Sequence, residues 1–471
     1  MTTTLLWLRQ DLRLADQPAL QAAIERGGSI IPVFIWSPEE EGEWQHGAAS
    51  RWWLHQSLGK LSAAIEKRGS KLILRRATDS LACLRELLAE TGATAVYWGR
   101  RYEPLIIARD ARIKNELRES GIEARSFNTA LLIEPWDVQN LSGKPFQVFT
   151  PFWRKACTAI DPPKPAAAPT RIAAPATWPR TATIEDLGLM PRIGWYHGMA
   201  EAWRPGEVGA QALLEQFLEG PVKNYAETRN LPAVAGTSRL SPHLHFGEIS
   251  PRQIWHAAPE WRSTQFVTEI GWREFAHHLL YHYPHTPDAP LRADFARFPW
   301  REDAAQRDAW QRGRTGIPMV DAGMRELWHT GWMHNRMRMV VASFLTKDLG
   351  IDWRWGEKYF AQHLIDFDLS ANNGGWQWAS SSGCDAQPYF RIFNPVTQSE
   401  KFDPKGKFIK RYLPQLAGLE GADIHAPWEA KPMALQAAGI SLGKDYPMPV
   451  VNHAEAREKT LARYAVVKKI T

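Results

Sequence analysis

The run IIPVFIW, residues 30–36, is apolar throughout and rich in β-branched side chains. A strand of this composition is normally buried on both faces, as in a parallel sheet. Similar runs recur before and after it, separated by stretches with helical periodicity such as 51–67 and 84–91. The other runs are Leu5–Leu8, Leu72–Leu74 and Ala95–Trp98. The pattern predicts an α/β domain over residues 1–130, in which helices cover both faces of a parallel sheet.

The rest of the chain has a different pattern. Residues 161–180, DPPKPAAAPTRIAAPATWPR, are dense in Pro and Ala and predict an extended connector. From Pro205 onward, apolar residues recur at i, i+3 and i+4, which predicts helices. We therefore expect an interdomain linker over 131–200 and a larger all-α domain over 201–471. The clearest predicted helices are 210–218, 266–281, 320–330 and 335–347.

The composition narrows the class of protein. A chain of 471 residues exceeds what one core usually organises, which agrees with two domains. Its 23 tryptophans are about three to four times the usual share, so aromatic chemistry or base stacking is plausible, although a Trp-rich helical core would explain the count equally well. The net charge of +6 permits a phosphate-binding face without demanding one.

Cysteine usage and the N-terminal sequence favour a cytoplasmic protein. Cys83, Cys157 and Cys384 are far apart and form no CxxC, so neither a disulfide framework nor a metal site is predicted. The start, MTTTLLWLRQDLR, lacks the order of a signal peptide, and no stretch of about 18 apolar residues is present to span a bilayer. We expect no membrane role.

The most unusual segment is DFDLSANNGGWQWASSSGCDAQPYFRIFNP, residues 366–395, which combines acids, amides, glycines and indoles. Its twin glycines permit close approach to the backbone, and the amides of Asn372 and Asn373 would be costly to bury unpaired. A planar heteroaromatic ligand would meet both demands. Trp376 and Trp378 are two positions apart, so their rings can face different neighbours, such as a cofactor and a stacked base.

Three further motifs allow a functional and an ordinary explanation. GTSRLS, residues 236–241, offers hydroxyls and a guanidinium for phosphate oxygens, but helix capping would also explain it. EIGWREF, residues 269–275, places an acid, an indole and a cation on one helix face, which is either a polar pocket or a surface ion pair. GWMHNRMRM, residues 331–339, suits a base edge flanked by phosphates, or a basic amphipathic helix.

Together these motifs resemble those of the photolyase and cryptochrome family, in particular the bacterial class I cyclobutane pyrimidine dimer photolyases. The similarity includes WLRQDLR (7–13), FTPFW (149–153), GTSRLS and TQSEKFDPKGKFIKRYLPQL (397–416). The resemblance implies a deoxyribodipyrimidine photo-lyase, a monomer that uses light and reduced FAD to split pyrimidine dimers in UV-damaged DNA without net redox change.

No GxGxxG follows the first strand, so the usual dinucleotide-binding motif is missing from the sheet. The resemblance implies a different position for the cofactor. FAD is expected in the helical domain. The implied cofactor-binding residues are Tyr225, Thr237, Ser238, Arg239, Leu240, Ser241, Arg338, Asp366, Phe367, Asp368 and Asn372. Asn372 is implied to be catalytic beside flavin N5, where photolyases carry Asn and plant cryptochromes carry Asp. Its neutral amide is compatible with the reduced anionic flavin that repair requires.

The family pattern further implies the dimer and DNA contacts. Glu269 is the second implied catalytic residue, since it would hydrogen-bond a dimer carbonyl and stabilise the radical anion. The implied substrate and DNA residues are Arg229, Glu269, Trp272, Asn335, Arg336, Met339, Trp378, Arg391 and Gln398. The (6-4) photolyases carry histidines where Asn335 and Met339 stand, and the DASH group usually replaces Trp378. Both comparisons favour the cyclobutane dimer as substrate.

Two further features of the family have alternative explanations in this sequence. Trp300, Trp353 and Trp376 match its electron-transfer tryptophans, although core packing is compatible with the same residues. The N-terminal domain of the family often holds a second, antenna chromophore, and the sequence leaves open whether this chain binds one. Ile106 stands where folate binders carry an acid, which disfavours a folate, whereas the run 46–58 is either the wall of a deazaflavin pocket or an ordinary helix start.

Two other function classes compete with the lyase. A cryptochrome photoreceptor would keep the flavin and the tryptophans but signal through partners. A nucleotide-binding module fused to a helical DNA-binding domain would lack photochemistry. The repair-type residues favour the enzyme over the first, and the joint presence of GTSRLS and DFDLSANN disfavours the second.

Overall fold

The computed structural model describes residues 2–261, 264–384 and 390–468. The chain divides into two compact units. Unit 1 consists of Met1–Glu219, Ser238–Pro284 and Ile365–Ser370, and unit 2 consists of Gly220–Thr237, His285–Leu364 and Ala371–Thr471.

Unit 1 contains a five-stranded parallel sheet in the order β3-β2-β1-β4-β5. Its strands are β1 (Thr3–Leu8), β2 (Ser29–Trp36), β3 (Ile73–Arg76), β4 (Ala95–Gly99) and β5 (Glu123–Phe127). Every residue of β1 and β4 is buried. Because successive side chains point to opposite faces, both faces of the sheet centre are covered. The predicted α/β fold is therefore confirmed.

Helices make up most of the remaining structure. The α-helices in the first segment of unit 1, which ends at Glu219, are α1 (Pro18–Arg26), α2 (Ala48–Glu66), α3 (Ser80–Thr91), α4 (Pro104–Glu119), α5 (Phe149–Ala159), α6 (His197–Ala202) and α7 (Glu207–Glu219). The next are α8 (Tyr225–Thr228), α9 (Ser241–His245), α10 (Pro251–Ala257), α11 (Gln265–His282), α12 (Ala304–Gln311) and α13 (Pro318–Thr330). The last are α14 (Asn335–Ser343), α15 (Trp353–His363), α16 (Leu369–Ser380), α17 (Pro395–Phe402), α18 (Lys407–Tyr412), α19 (Pro432–Ala437) and α20 (His453–Lys468).

Short helical turns connect these elements. Phe344–Asp348 forms a π-helical turn directly after α14. The 3₁₀ helices are Pro38–Trp44, Pro135–Asp137, Glu185–Leu187, Pro221–Asn224, Pro259–Trp261, Ala293–Arg297, Pro414–Leu416, Gly421–Ile424 and Pro427–Glu429. The predicted mostly helical C-terminal part is thus confirmed.

The Pro- and Ala-rich segment 161–180 has no regular secondary structure, as predicted. It belongs entirely to unit 1, where the Ile172 N–H donates to the Arg68 carbonyl and the Ile30 N–H donates to the Ala173 carbonyl. Its backbone is therefore held by the α/β part of the chain. The domain limits 1–130, 131–200 and 201–471 stay a prediction.

Candidate functional site

Helix α11 in unit 1 carries Glu269 and Trp272, both half-buried. The Trp272 ring stacks on Phe149 of α5, with centroids 3.9 Å apart and planes 10° apart. A Cβ on Gly271 would lie 2.6 Å from the ring of Trp153, so the approach of α5 to α11 requires glycine there. Phe149 occupies one face of the Trp272 ring, and a base could stack only on the other.

The polar groups of α11 are held by nearby protein atoms. Glu269 accepts a hydrogen bond from Gln265 Nε2 at 2.6 Å. Arg273 donates to the Ala130 carbonyl at 2.7 Å and lies 3.6 Å from Oε1 of Glu274. The cation of the EIGWREF motif is thus engaged with buried groups of unit 1, which disfavours a simple surface ion pair.

The acids of DFDLSANN that lie in unit 1 form a second polar group. Asp368 lies 3.3 Å from Nε2 of His277 on α11 and accepts a hydrogen bond from the Ser370 hydroxyl. Burial alone would raise the pKa of Asp368, but the neighbouring His277, Arg273 and Ser370 hold it well below its usual range. The carboxylate is therefore charged at neutral pH and can accept a ligand N–H. Asp366 is buried, and the Phe367 ring stacks on Trp44.

The GTSRLS motif does not act as a helix cap. The N-cap of α9 is Leu240, which has no polar side chain, and Ser241 is the first helical residue. Arg239 has a φ of 54° and places its guanidinium 4.0 Å from the ring centroid of Trp203. The capping explanation is therefore wrong, and the phosphate-binding interpretation remains.

In unit 2, helices α15 and α16 are joined through the amides of DFDLSANN. Asn372 donates from Nδ2 to the Glu357 carbonyl at 3.1 Å. Asn373 donates from Nδ2 to Glu357 Oε1 at 3.0 Å and to the Thr286 carbonyl at 2.9 Å. Because its Nδ2 is engaged, Asn372 can offer a ligand its oxygen as an acceptor. Burial raises the pKa of Glu357 well above its usual range, which favours the neutral form of this carboxyl.

Trp376 of α16 is buried, and its ring packs against α15. A Cβ on Gly356 would lie 2.2 Å from its ring, so glycine is required there. Its ring centroid lies 5.0 Å from Phe360 and 6.3 Å from Trp310. Of the other two predicted electron-transfer tryptophans, Trp353 is buried and Trp300 is half-buried. Both core packing and redox chemistry are compatible with these positions.

The predicted DNA-binding residues of unit 2 differ in exposure. Asn335, at the start of α14, and Arg391 are exposed, whereas Met339, Trp378 and Gln398 are half-buried.

Two of the arginines predicted to bind DNA, Arg336 and Arg229, and the predicted FAD-binding Arg338 have neighbours in unit 2. Arg336 donates to Asn230 Oδ1 at 2.7 Å, and its guanidinium lies 4.3 Å from the Phe402 ring centroid. Arg338 donates to the Met333 carbonyl at 2.8 Å. The guanidinium of Arg229 lies 5.8 Å from the ring of Tyr225. These contacts orient the side chains before any ligand binds.

The run 46–58 both begins helix α2 and lines a cavity of unit 1, so the two explanations of this run are compatible. The charged groups of the cavity are matched by protein partners: Arg101 pairs with Glu41, and Arg109 lies 3.1 Å from Glu40. The lining residues are Trp7, Arg9, Gln10, Phe34, Ile35, Trp36, Ser37, Glu41, His46, Leu54, Arg101, Arg109 and Phe246.

Several buried polar atoms fit a polar cofactor. Both ring nitrogens of His245 in unit 1 and Oε2 of Glu357 in unit 2 are buried without a partner among the described residues. Burial lowers the pKa of His245 to about 4, so its ring is neutral and offers one donor and one acceptor. Because buried polar atoms are nearly always hydrogen-bonded, such atoms are expected where a ligand or water binds.

Sequence reasoning missed Glu357 and His277. Both are ionisable residues buried on helices that carry several other charged or polar residues, so no sequence signal singled them out. Their partners could not be inferred because the contacts join different elements. For metals, no cluster of three or more His, Cys, Asp or Glu that could hold an ion occurs among the described residues. Over the same part of the chain, no helix is both long and apolar enough to cross a membrane.

Two family models match the chain: DNA photolyase over residues 4–170, and the FAD binding domain of DNA photolyase over residues 266–466. A deoxyribodipyrimidine photo-lyase of Agrobacterium fabrum is 47% identical, over 99% of this chain and 98% of the relative. The chain belongs to the DNA photolyase family. The predicted family, FAD cofactor and photo-lyase class of enzyme are thereby confirmed.

The chain is also similar to proteins named cryptochromes. Cryptochrome-1 of Arabidopsis thaliana is 41% identical over 97% of this chain and 69% of the relative. A bacterial class III photolyase structure from Agrobacterium tumefaciens has a TM-score of 0.95 and 46% identity, covering 100% of this chain and 98% of that chain. An archaeal photolyase structure from Sulfolobus tokodaii contains two FAD molecules, with a TM-score of 0.84 and 30% identity over 98% of this chain and 100% of that one. The finer assignment to class I stays a prediction.

Proposed function

We propose that this chain repairs cyclobutane pyrimidine dimers in DNA in a light-dependent reaction, with the residues predicted above in the roles given to them. The observation that carries the proposal is the neutral amide of Asn372, which is held on α16 by the Glu357 carbonyl. An amide at this position distinguishes the repair-type pattern from the plant cryptochrome pattern.

FAD is proposed to be bound by Tyr225, by Thr237 to Ser241 of GTSRLS, by Arg338, and by Asp366, Phe367, Asp368 and Asn372. FAD held by these residues would, in its reduced form, supply light-driven electron transfer to the dimer without net redox change. The chain's own contribution is positional. Charged Asp368 accepts a hydrogen bond from a ligand N–H, and the oxygen of Asn372 accepts another.

Glu269 is proposed to donate a hydrogen bond, in its protonated form, to a carbonyl oxygen of the dimer. Such a bond strengthens as negative charge develops on that oxygen, so it favours the radical anion over the neutral dimer. The present partner, Gln265, lies one helical turn earlier and orients the carboxyl group. Glu269 thus reaches the substrate from its position on helix α11.

The walls of the dimer site are proposed to be aromatic and apolar. Trp272 would stack a base on the ring face opposite Phe149, and Trp378 would stack the second base. Asn335 and Met339 would line the remaining wall. Extrusion of a nucleotide is least costly when the lesion has already weakened pairing, which provides selectivity for damaged sites.

Phosphate contacts are assigned to four residues: Arg229, Arg336, Arg391 and Gln398. Light-driven reduction of oxidised flavin is assigned to three tryptophans: Trp300, Trp353 and Trp376. The proposal leaves open whether an antenna chromophore binds: Ile106, in place of the family's acid, disfavours a folate, and a deazaflavin stays an alternative. We further propose a monomer in the cytoplasm. Sedimentation of the purified protein tests the oligomeric state, and fractionation of cells tests the location.

The proposed activity is tested by following the loss of thymine dimers from irradiated DNA, in light and in darkness, with reduced protein. We expect repair only in light, and a strong loss of repair in E269A and W272A. The matched control is E458A, because Glu458 is exposed on α20 and has no proposed role. Failure to repair, despite bound and fully reduced FAD, would overturn the lyase and favour a photoreceptor.

A further inference from the structure

Lys347 is a fully buried lysine in the π-helical turn Phe344–Asp348 of unit 2. Lysine is almost never buried completely unless it is paired. Among the described residues, no carboxylate forms an ion pair with its ammonium nitrogen. π-helical turns are rare in proteins and are frequent at functional sites. The burial of Lys347 therefore needs an explanation from its contacts.

The side chain of Lys347 ends at the C-terminus of helix α16. Its Nζ donates to the Ser381 hydroxyl at 2.8 Å and to the Ser380 carbonyl at 3.3 Å. The last carbonyls of a helix have no partner within the helix, and a lysine is well suited to satisfy them. Ser381 has a φ of 66°, and its N–H donates to the Trp378 carbonyl at 3.1 Å. Lys347 thus fixes the turn that follows Trp378.

The same ammonium nitrogen contacts a second segment. It lies 3.3 Å from the ring centroid of Phe390, and Trp378 in turn packs against Phe393 at 6.1 Å. Burial lowers the pKa of Lys347 well below its usual range. Either form of the amine can still donate to the Ser380 carbonyl and the Ser381 hydroxyl, and a contact over an aromatic face favours the cation.

We propose that Lys347 is a positioning residue for the dimer-binding wall, because it joins the end of α16 to the segment that begins at Phe390. Trp378 is on the first of these elements, and Arg391 is on the second. The inference rests on the proposed function, which assigns Trp378 to the dimer and Arg391 to DNA.

The other end of α16 has separate anchors. Asn372 and Asn373 are bonded to Glu357, and Trp376 packs against Phe360. Loss of the Lys347 contacts should therefore affect the substrate wall far more than the flavin contacts. This difference separates positioning of the wall from a general role in folding.

The test measures binding of a short duplex with one thymine dimer, in the dark, to flavin-loaded K347M protein. We expect affinity for the dimer to fall about tenfold, from the loss of two hydrogen bonds. Flavin content, the flavin absorption spectrum and light-driven flavin reduction should be unchanged. The matched control, K358M, changes an exposed lysine of α15 and should bind the dimer like the wild type.

S381A provides a milder second variant if K347M does not fold. It removes one acceptor of the Lys347 bonds and should weaken dimer binding about threefold. In the double variant the two losses should not add, because both act through the same contact. Unchanged dimer affinity in S381A, or in folded K347M, would overturn the inference. If the wild type itself does not distinguish dimer-containing from undamaged DNA, the proposed function fails instead.

Discussion

Asn373 donates a hydrogen bond from Nδ2 to Oε1 of Glu357 at 3.0 Å, and both side chains are buried. The backbone carbonyl of the same glutamate accepts from Asn372. One residue of α15 therefore orients both amides of DFDLSANN. Burial raises the pKa of Glu357 well above its usual range, which favours an uncharged carboxyl in this bond.

Replacement of Glu357 by leucine should lower stability by about 1–3 kcal/mol, because it removes an acceptor of the buried Asn373 amide. It should also reduce the flavin retained per protein, since the helix that carries Asn372 loses its side-chain anchor. Thermal unfolding and flavin absorbance measure the two effects. E357Q should come close to the wild type, because its amide oxygen can still accept. If E357L retains wild-type flavin, the Glu357 side chain does not orient the cofactor helix.

Light-driven flavin reduction should use more than one aromatic route. The Trp376 ring neighbours Trp310, whose centroid lies 5.8 Å from Trp355 and 5.4 Å from Tyr359. W353F should therefore slow the reduction of oxidised flavin without abolishing it. The double variant W310F/W353F should be several-fold slower than W353F. The rate is followed as flavin bleaching under blue light with an external reductant.

If the double variant reduces flavin at the same rate as W353F alone, that result would contradict a route through Trp310. W328F is the matched control, because Trp328 is 64% exposed on α13 and its nearest aromatic partner is His363.

The fold was largely predictable because continuous apolar runs report burial on both faces of a parallel strand. Four of the five strands were predicted in this way. Strand β5, EARSF, was missed because it lies at the sheet edge, where Glu123 is exposed and only Ala124 is fully buried. The α-helix that was predicted to reach Lys347 ends at Ser343, and Phe344–Asp348 forms a π-helical turn after it. Neither Gly nor Pro marks this change in the sequence.

The candidate site was predictable only in part. Motifs such as GTSRLS identify side chains with unusual chemistry, and the family resemblance assigns roles to them. The supporting contacts are tertiary: His277 meets Asp368 across 91 positions of sequence, and Lys347 meets Ser381 across 34. No local period encodes such pairs. Helix capping by GTSRLS was a reasonable alternative from sequence, and only the position of Leu240 at the start of α9 excluded it.

Glu274 should make stability depend on pH. It is buried, and burial raises its pKa to about 7, against the opposing effects of Arg273, His277 and the N–H groups of Leu132 and Ile133. An unfolded glutamate has a pKa near 4.5. Between these values only the unfolded chain loses the proton, so stability falls as the pH rises from about 4.5 to about 7, by about 3 kcal/mol at most.

The variant E274Q keeps the acceptor oxygen but cannot ionise. Its unfolding midpoint, compared with that of the wild type, should therefore rise progressively between about pH 5 and about pH 7 and then level off. E119Q, an exposed substitution on α4, should follow the wild type at each pH. A constant difference between E274Q and the wild type across this range would show that Glu274 does not titrate there.

The salt dependence of DNA binding should separate two arginines that are both assigned to phosphates. Arg391 is exposed, whereas Arg336 is half-buried and already bonded to Asn230. Each phosphate contact contributes a slope of about −0.9 to the logarithm of affinity against the logarithm of salt concentration. R391Q should reduce the steepness by nearly one such contact and leave the unfolding midpoint unchanged. R336Q should reduce the steepness less and also lower the unfolding midpoint, because it loses the bond to Asn230 and the contact with Phe402.

R171Q, at an exposed arginine with no assigned phosphate, should keep the wild-type slope. Equal slopes in R391Q and R171Q would remove Arg391 from the DNA-binding surface.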